Sequence, residues 1–243
     1  MSAMIGAMLA ILGAIDAEVA DNRRLLDDPV ELRAGRLSVH RGRLHGSEVL
    51  LARCGVGKVN AAMATTVLHS AGATSLLFTG VAGGVAPGQR VGDLVVATDL
   101  VQHDVDVTAL GRPPGQLLGE PASWAADPAM SEHLVAAAGA CAARDGRTLH
   151  EGRIASGDQF VASAARAAAV HAEFGAVCVE MEGAAVAQAA TSLGIPFAVL
   201  RALSDTADPG AARDFPAFLD GSARLMADVV ECYLRGARSK IAL

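Results

Sequence analysis

The 243-residue chain is 52% apolar and 19% charged, enough to bury a large core and too apolar for a disordered chain. Its net charge of -6 and 3% aromatic content argue against a nucleic-acid partner, which needs cationic contacts to phosphate and rings to stack on bases. Cys54, Cys141, Cys178 and Cys232 form no CxxC pair, so a zinc ribbon or redox dithiol is excluded and buried thiols of a reducing compartment are expected.

The first apolar run, residues 3–14, is short of the roughly 20 residues that span a bilayer. Acidic Asp16 and Glu18 follow it directly. It is expected to be a buried first strand of a cytoplasmic protein with no membrane partner. Residues 16–26 read as a short helix limited by Pro29, with Asp16 as its cap. Glu18 falls in the first turn, where an acid complements the helix dipole; locally that reading precedes a catalytic one.

Residues 36–45 alternate around Gly42 and read as a hairpin, and 47–54 as a further strand. GVGKVNAA, residues 55–62, opens a helix that ends near Gly72. It looks like a phosphate loop but fails as one. A Walker loop needs glycine where Ala52 stands and Ser or Thr where Val59 stands; a dinucleotide fingerprint needs glycine at Asn60. The glycines present are expected to let backbone approach a ligand or to pack a strand–helix turn.

Residues 74–79 read as a strand running into GVAGGVAPG, residues 80–88. This glycine-rich loop either presents backbone N–H and C=O groups to a heterocycle or sugar, or is a plain turn. Residues 93–101 form the next strand. His103, Asp104 and Asp106 are metal-ligand types without a partner cluster, so a hydrogen-bonded turn is expected. The rest of 102–121 is a long loop, of the kind found at functional sites or interfaces.

A helix over 129–144 and a strand over 148–155 lead to SGDQFV at 156–161, where Phe160 either packs on a base or packs in the core. After a helix over 163–174 come two apolar runs, 176–179 and 195–203, with the composition of buried strands and an alanine-rich helix between them. Glu180 and Glu182 follow the first run and Asp205 the second. Ligands of α/β sheets sit at the carboxyl ends of strands, so these acids are candidates for chemistry. Residues 214–234, including Phe215, Phe218, Met226 and Val230, form a closing amphipathic helix. The alternation gives one α/β domain over 1–243: a mixed, mostly parallel twisted sheet flanked by helices.

At VEMEGAAVA and RALSDTAD the chain resembles the purine nucleoside phosphorylase-like superfamily and, within it, the 5'-methylthioadenosine/S-adenosylhomocysteine nucleosidases. ILGAIDAEV, GVGKVNAA, TGVAGGVAPGQRVGDLVVAT, HDVDVTALG and SGDQF extend the resemblance in family order. It implies a three-layer nucleoside phosphorylase-like fold. The implied activity is hydrolysis of the N-glycosidic bond of an adenine nucleoside (5'-methylthioadenosine, S-adenosylhomocysteine or 5'-deoxyadenosine), with no metal or organic cofactor. By the same resemblance Glu18 activates water and Asp205 protonates purine N7, with Arg201 and Ser204 beside it. Met181 packs on the nucleoside and Glu182 grips the ribose hydroxyls. Phe160 stacks on adenine, whose edge is read around Gln159 and Val161. Val81, Ala82 and Gly83 line the ribose and base. Phe215 joins the substrate-binding set, and so does Leu110, which reaches into the neighbouring site of a homodimer.

The chain departs from the family pattern in places. Ile15 and Asp16 replace a common Met and Glu, Val81 a Ser, Leu110 a Phe and Leu118 a Pro. These changes bear on the 5'-substituent rather than on the chemistry. TGVAG and EMEGA also resemble relatives acting on aminodeoxyfutalosine. A phosphorylase would need cationic groups where acidic Glu18 stands. Cleavage with water needs two carboxylates in opposite states: Asp205 holding a proton, well above its reference value of about 3.9, and Glu18 ionised.

Overall fold

The computed structural model describes residues 8–205, Ala207 and 211–241, the last stretch with side chains for Phe218 and residues 221–236. Strand β1 (Leu9–Gly13) leads into helix α1 (Asp16–Arg24), so the expected first strand begins at Leu9, and residues 3–7 of it lie outside the described residues. A meander follows: β2 (Asp27–Ala34), β3 (Leu37–Leu44) and β4 (Ser47–Arg53). Its second turn places His45 at φ 48° and Gly46 at φ 79°, the left-handed pair that matches the twist of a tight hairpin. Strand β2 was not expected. It is exposed along its whole length and contains Pro29, and it forms by pairing with β3 rather than by burying itself.

Helix α2 (Lys58–Ser70), strand β5 (Ser75–Gly84) and strand β6 (Leu94–Gln102) come next. The long loop holds a 3-10 turn at Thr108–Leu110 and the two-residue β7 (Trp124–Ala125). Then come α3 (Pro128–Arg144), β8 (Leu149–Ser156), α4 (Ala164–Phe174), β9 (Ala176–Glu180), α5 (Gly183–Leu193), β10 (Phe197–Asp205) and α6 (Ala211–Ile241).

Successive strand residues face opposite helix layers, which makes the molecule three layers thick. Leu12, Phe78 and Val199 pack with Leu68 of α2 and Val186 of α5. Their neighbours Ile11, Leu77 and Leu200 pack with Leu134 of α3 and with Met226 and Val230 of α6. Both faces of β1 and β10 are covered, so both are apolar runs, β10 interrupted by the buried Arg201 before its polar end at Ser204 and Asp205. Each large aliphatic or aromatic side chain buried this way contributes about 1.5–3 kcal/mol.

The sheet is mixed and partly closed. Strands β4, β1, β5 and β10 run parallel side by side, as do β6, β8 and β9. Antiparallel pairs join the two groups: β10 with β6, and β9 with the tip of β5 through Gly83 opposite Val179 and Gly84 opposite Cys178. Strands β5, β10, β6, β8 and β9 thus form a ring, a closure that the alternation of strands and helices does not reveal. The segment GVAGG, read as a loop, is the last half of β5. Glycines there leave no side-chain period to read, and they let neighbouring groups approach the strand closely.

Candidate active site

A cavity of about 240 Å³ opens where β1, β5, β9 and β10 end. Among the expected residues, Glu18, Val81, Ala82, Gly83, Gln159, Phe160, Val161, Met181, Glu182, Ser204 and Asp205 line it. Arg201 does not: it is 1% exposed and sits behind the lining. Leu110, 64% exposed on the 3-10 turn, is also absent from this chain's own cavity wall. The side chain of Phe215 lies outside the described residues. Sequence reasoning missed Ala14, Ile15, Val56 and Val179, which carry no functional group to find and are brought in by the same strand ends and by the GVGK loop.

Glu18 holds two positions at once. The cap of α1 is Ile15, extended at φ -122° and ψ 162°, rather than Asp16. Asp16 instead points outward, 3.5 Å from Arg53 and 4.0 Å from Arg23. Glu18 reaches back so that Oε2 accepts the Ala14 N–H at 2.6 Å and the Ile15 N–H at 3.1 Å, half of a capping box. Its Oε1 accepts the Val81 N–H at 3.0 Å. Burial raises its pKa; the charge of Arg201 and these N–H groups oppose that rise without cancelling it. The result is a buried carboxylate held in one orientation and made more basic than an exposed one.

Glu180 and Glu182 both border the cavity but have different partners. Glu180 accepts from Arg201 Nη2 at 2.5 Å, from Ser156 Oγ, and from the Gly183 N–H at 2.8 Å. It therefore shapes the turn on which Glu182 sits. Arg201 lies 4.0 Å over the Phe78 ring. Burial alone would lower its pKa, but the charges of Glu180 and Glu18 raise it, so it stays cationic. Glu182 accepts the Gly57 N–H at 2.7 Å across 125 residues of sequence. Its pKa is pushed up to about 8, first by burial and then by the charge of Glu180.

Asp205 ends β10, where the pairing with β5 shifts register between Leu203 and Asp205. Such irregularities turn a side chain out of the alternation and into a site. Its Oδ2 accepts from Ser204 Oγ at 2.7 Å and its Oδ1 from the Ala207 N–H at 2.8 Å. A β-carbon on Gly83 would lie 2.8 Å from Oδ1, so only glycine leaves this carboxyl its place.

The metal-ligand types near β6 are already engaged. Asp104 pairs with Lys58 at 2.7 Å, and Asp106 accepts from Thr108 Oγ1 at 2.7 Å. Among the described residues no group of three or more His, Cys, Asp or Glu is placed to hold a metal ion.

The family model of the phosphorylase superfamily matches residues 8–235. A 5'-methylthioadenosine/S-adenosylhomocysteine nucleosidase of Geobacillus thermodenitrificans is 42% identical over 95% of this chain and 98% of its own length. The nucleosidase of that name from Neisseria meningitidis, solved in complex with methylthio-immucillin-A, superposes with a TM-score of 0.89 at 37% identity, covering 94% of this chain and 99% of that one. A futalosine hydrolase of Helicobacter pylori superposes with a TM-score of 0.88 at 36% identity, covering 96% of this chain and 100% of that one.

Proposed function

The chain belongs to the phosphorylase superfamily, within the 5'-methylthioadenosine/S-adenosylhomocysteine nucleosidases, and on that premise we propose how its residues cleave an adenine nucleoside with water. It is an N-glycosyl hydrolase whose substrate is a small nucleoside. One observation carries the assignment of roles: Glu18, Glu182 and Asp205, all buried, line one cavity at the ends of three different strands.

Breaking the N-glycosidic bond leaves positive charge on the ribosyl ring and negative charge on the base. Asp205 at the end of β10 protonates the base at N7. Glu18, fixed by backbone N–H groups, takes the proton of the attacking water. Glu182 accepts from the ribose hydroxyls and binds the ring more tightly as it becomes cationic. A positioned acid or base of this kind is worth about 10² to 10⁴ in rate. Phe160 and Met181 supply the apolar contacts to base and sugar, and backbone at Gln159 and Val161 reads the base edge. Val81 to Gly83 form the floor. Arg201 acts from behind, keeping Glu180 and Glu18 in a cationic field.

Two observations disfavour phosphate as the attacking group. Glu18 places negative charge where phosphate would enter. The N–H groups at the start of α2, the natural anion site of such a loop, are taken by carboxylates of the chain itself. Aminodeoxyfutalosine remains a second reading. It is favoured by TGVAG and EMEGA, which resemble such relatives, and by the likeness to a futalosine hydrolase.

The deciding experiment compares adenine release from 5'-methylthioadenosine, S-adenosylhomocysteine and aminodeoxyfutalosine, with and without phosphate. Phosphate-independent release from the first two is expected. A requirement for phosphate, or release from aminodeoxyfutalosine alone, would overturn the primary reading.

The working form is a homodimer. Val59 and Met63, 70% and 63% exposed and one turn apart on α2, continue the rim that Val56 and Phe160 form at the cavity mouth. Leu110 of one copy completes the neighbour's 5'-pocket. Sedimentation of the parent and of Met63→Glu tests this: a monomeric parent with full activity would rule it out. Among the described residues no helix is long and apolar enough to cross a membrane. A cytoplasmic setting suits Cys141 and Cys232, free thiols 3.6 Å apart.

A further inference from the structure

The loop that imitates a phosphate binder has a different use. Gly57 adopts φ 98°, a backbone state closed to other residues at little cost, and this turns its N–H toward Glu182. The next residue, Lys58, is tied down at both ends. Its own N–H donates to Asp158 Oδ1 at 2.8 Å. Its ammonium lies 2.7 Å from Asp104 Oδ1 and 2.9 Å from Gln102 Oε1. The other oxygen of Asp104 accepts the Asp158 N–H at 2.9 Å, which closes the circuit. Gln102 is held in turn by Gln188 at 2.9 Å.

The ends of this circuit lie on two walls of the pocket. Gly57 precedes Lys58 and holds Glu182. Asp158 precedes Gln159 and Phe160, which line the base side. Lys58 and Asp104 side chains are 18% and 12% exposed, well placed for a pair that holds its geometry rather than wanders in solvent. Burial would raise the pKa of Asp104, but Lys58 and the Asp158 N–H hold it low, so its carboxylate stays ionised. Gly157, beside Asp158, lacks the β-carbon that would lie 2.6 Å from the His103 ring, so this loop packs directly on the segment bearing Asp104.

We propose that Lys58 and Asp104 are positioning residues, an ion pair that sets the ribose-side carboxylate Glu182, through Gly57, and the base-side loop 157–161, through Asp158, in one geometry. Neither residue touches substrate. The lysine of GVGK neutralises Asp104 instead of a phosphate. This inference rests on the nucleosidase reading for which groups bind sugar and base.

The test replaces Lys58 by Met, which keeps the length of the side chain and removes its charge. Three readouts are taken on folded protein: KM and kcat for 5'-methylthioadenosine, the loss in kcat/KM when the 2'- and 3'-hydroxyls are deleted from it, and the Kd of adenine by calorimetry. In Lys58→Met, KM and the adenine Kd are expected to rise about tenfold and the hydroxyl penalty to shrink by a similar factor, because both walls lose their setting. Lys58→Arg should recover part of each. Should Lys58→Met not fold, Asp104→Asn carries the same readouts. A lowered Tm with all three within about twofold of the parent would reduce the pair to a stability element and overturn the proposal. A parent that releases no adenine defeats the nucleosidase reading instead, and adenine binding then still tests the pair. A parent that binds neither adenine nor nucleoside overturns both.

Discussion

Gly80 gives way to Glu18: a β-carbon built on Gly80 would lie 2.7 Å from Oε1 of Glu18 and 3.1 Å from Nη1 of Arg201. Neither neighbour can yield. The carboxylate is pinned by N–H groups of Ala14, Ile15 and Val81, and the guanidinium is fixed between Phe78 and Glu180. Gly80→Ala is therefore expected to displace the Glu18 carboxylate, the proposed water-activating group, by a fraction of an ångström to an ångström. Turnover should fall by roughly 10²-fold, with a stability loss of about 1–3 kcal/mol. Steady-state adenine release and a urea melt measure the two effects.

Asp205→Asn should reduce kcat by about 10² to 10⁴ while binding persists, since an amide keeps the shape but cannot deliver the proton. Its oxygen still accepts the Ala207 N–H. Glu18→Gln should lose a similar factor but also about 1–3 kcal/mol of stability. Its NH₂ must face one of the N–H groups that now donate to the two carboxylate oxygens. Turnover near the parent's in either variant would remove that residue from its role. Calorimetry with 5'-methylthioadenosine separates binding from chemistry.

Glu182 makes stability depend on pH. In the unfolded chain it ionises near its ordinary value of 4.5, and in the folded chain near about 8. Between those limits the folded state binds more protons than the unfolded one. Its contribution is thus full below about 4.5, declines as pH rises, and is gone by about 8. Urea midpoints should fall across that window in the parent, and less steeply in Glu182→Gln. In the proposed role it is the ionised form that accepts from ribose hydroxyls, so kcat/KM should rise with pH toward about 8, and Glu182→Gln should lack that rise.

Arg201→Met should cost about 3–5 kcal/mol, because it strands the Glu180 carboxylate without its partner. The two side chains are 1% and 3% exposed. Activity should fall with it, since Glu180 holds the Gly183 N–H and with it the turn that carries Glu182. A guanidinium chloride titration checks the stability change. A cost below about 1 kcal/mol would mean water reaches Glu180 more readily than its burial implies.

Much of this was legible in the sequence where chemistry and burial coincide. Two apolar runs ending in acids located β9, β10 and the residues Glu180, Glu182 and Asp205. Both Glu180 and Glu182 border the cavity, and their partners separate them: Glu180, the last residue of β9, is paired with Arg201, while among the described residues Glu182 accepts only a backbone N–H, from Gly57. Glu18 was ambiguous because its side chain both bonds the start of α1 and lines the cavity. The features left out depend on strand pairing rather than on a burial pattern of their own. Strand β2 exists through β3, and the strand character of GVAGG through β10 and β9. Arg201 carries the signature of a ligand group, an arginine beside a catalytic motif. Only packing reveals that its charge is already spent on Glu180. Lys58 carries the signature of a phosphate binder, and only the fold shows Asp104 waiting for it.

The ring of β5, β10, β6, β8 and β9 also governs how these molecules meet one another. A sheet that closes on itself offers a passing chain few unpaired N–H and C=O groups, so the half carrying the site gives little purchase for strand-to-strand growth. Among the described residues the long open margin is β2, at the far end of the sheet order. That margin carries Asp27, Asp28, Pro29, Glu31 and Arg33 in eight residues. Charge and a missing donor are what keep an exposed strand from recruiting copies of itself. An exposed full-length strand of this composition is thus expected to resist strand-to-strand association between copies.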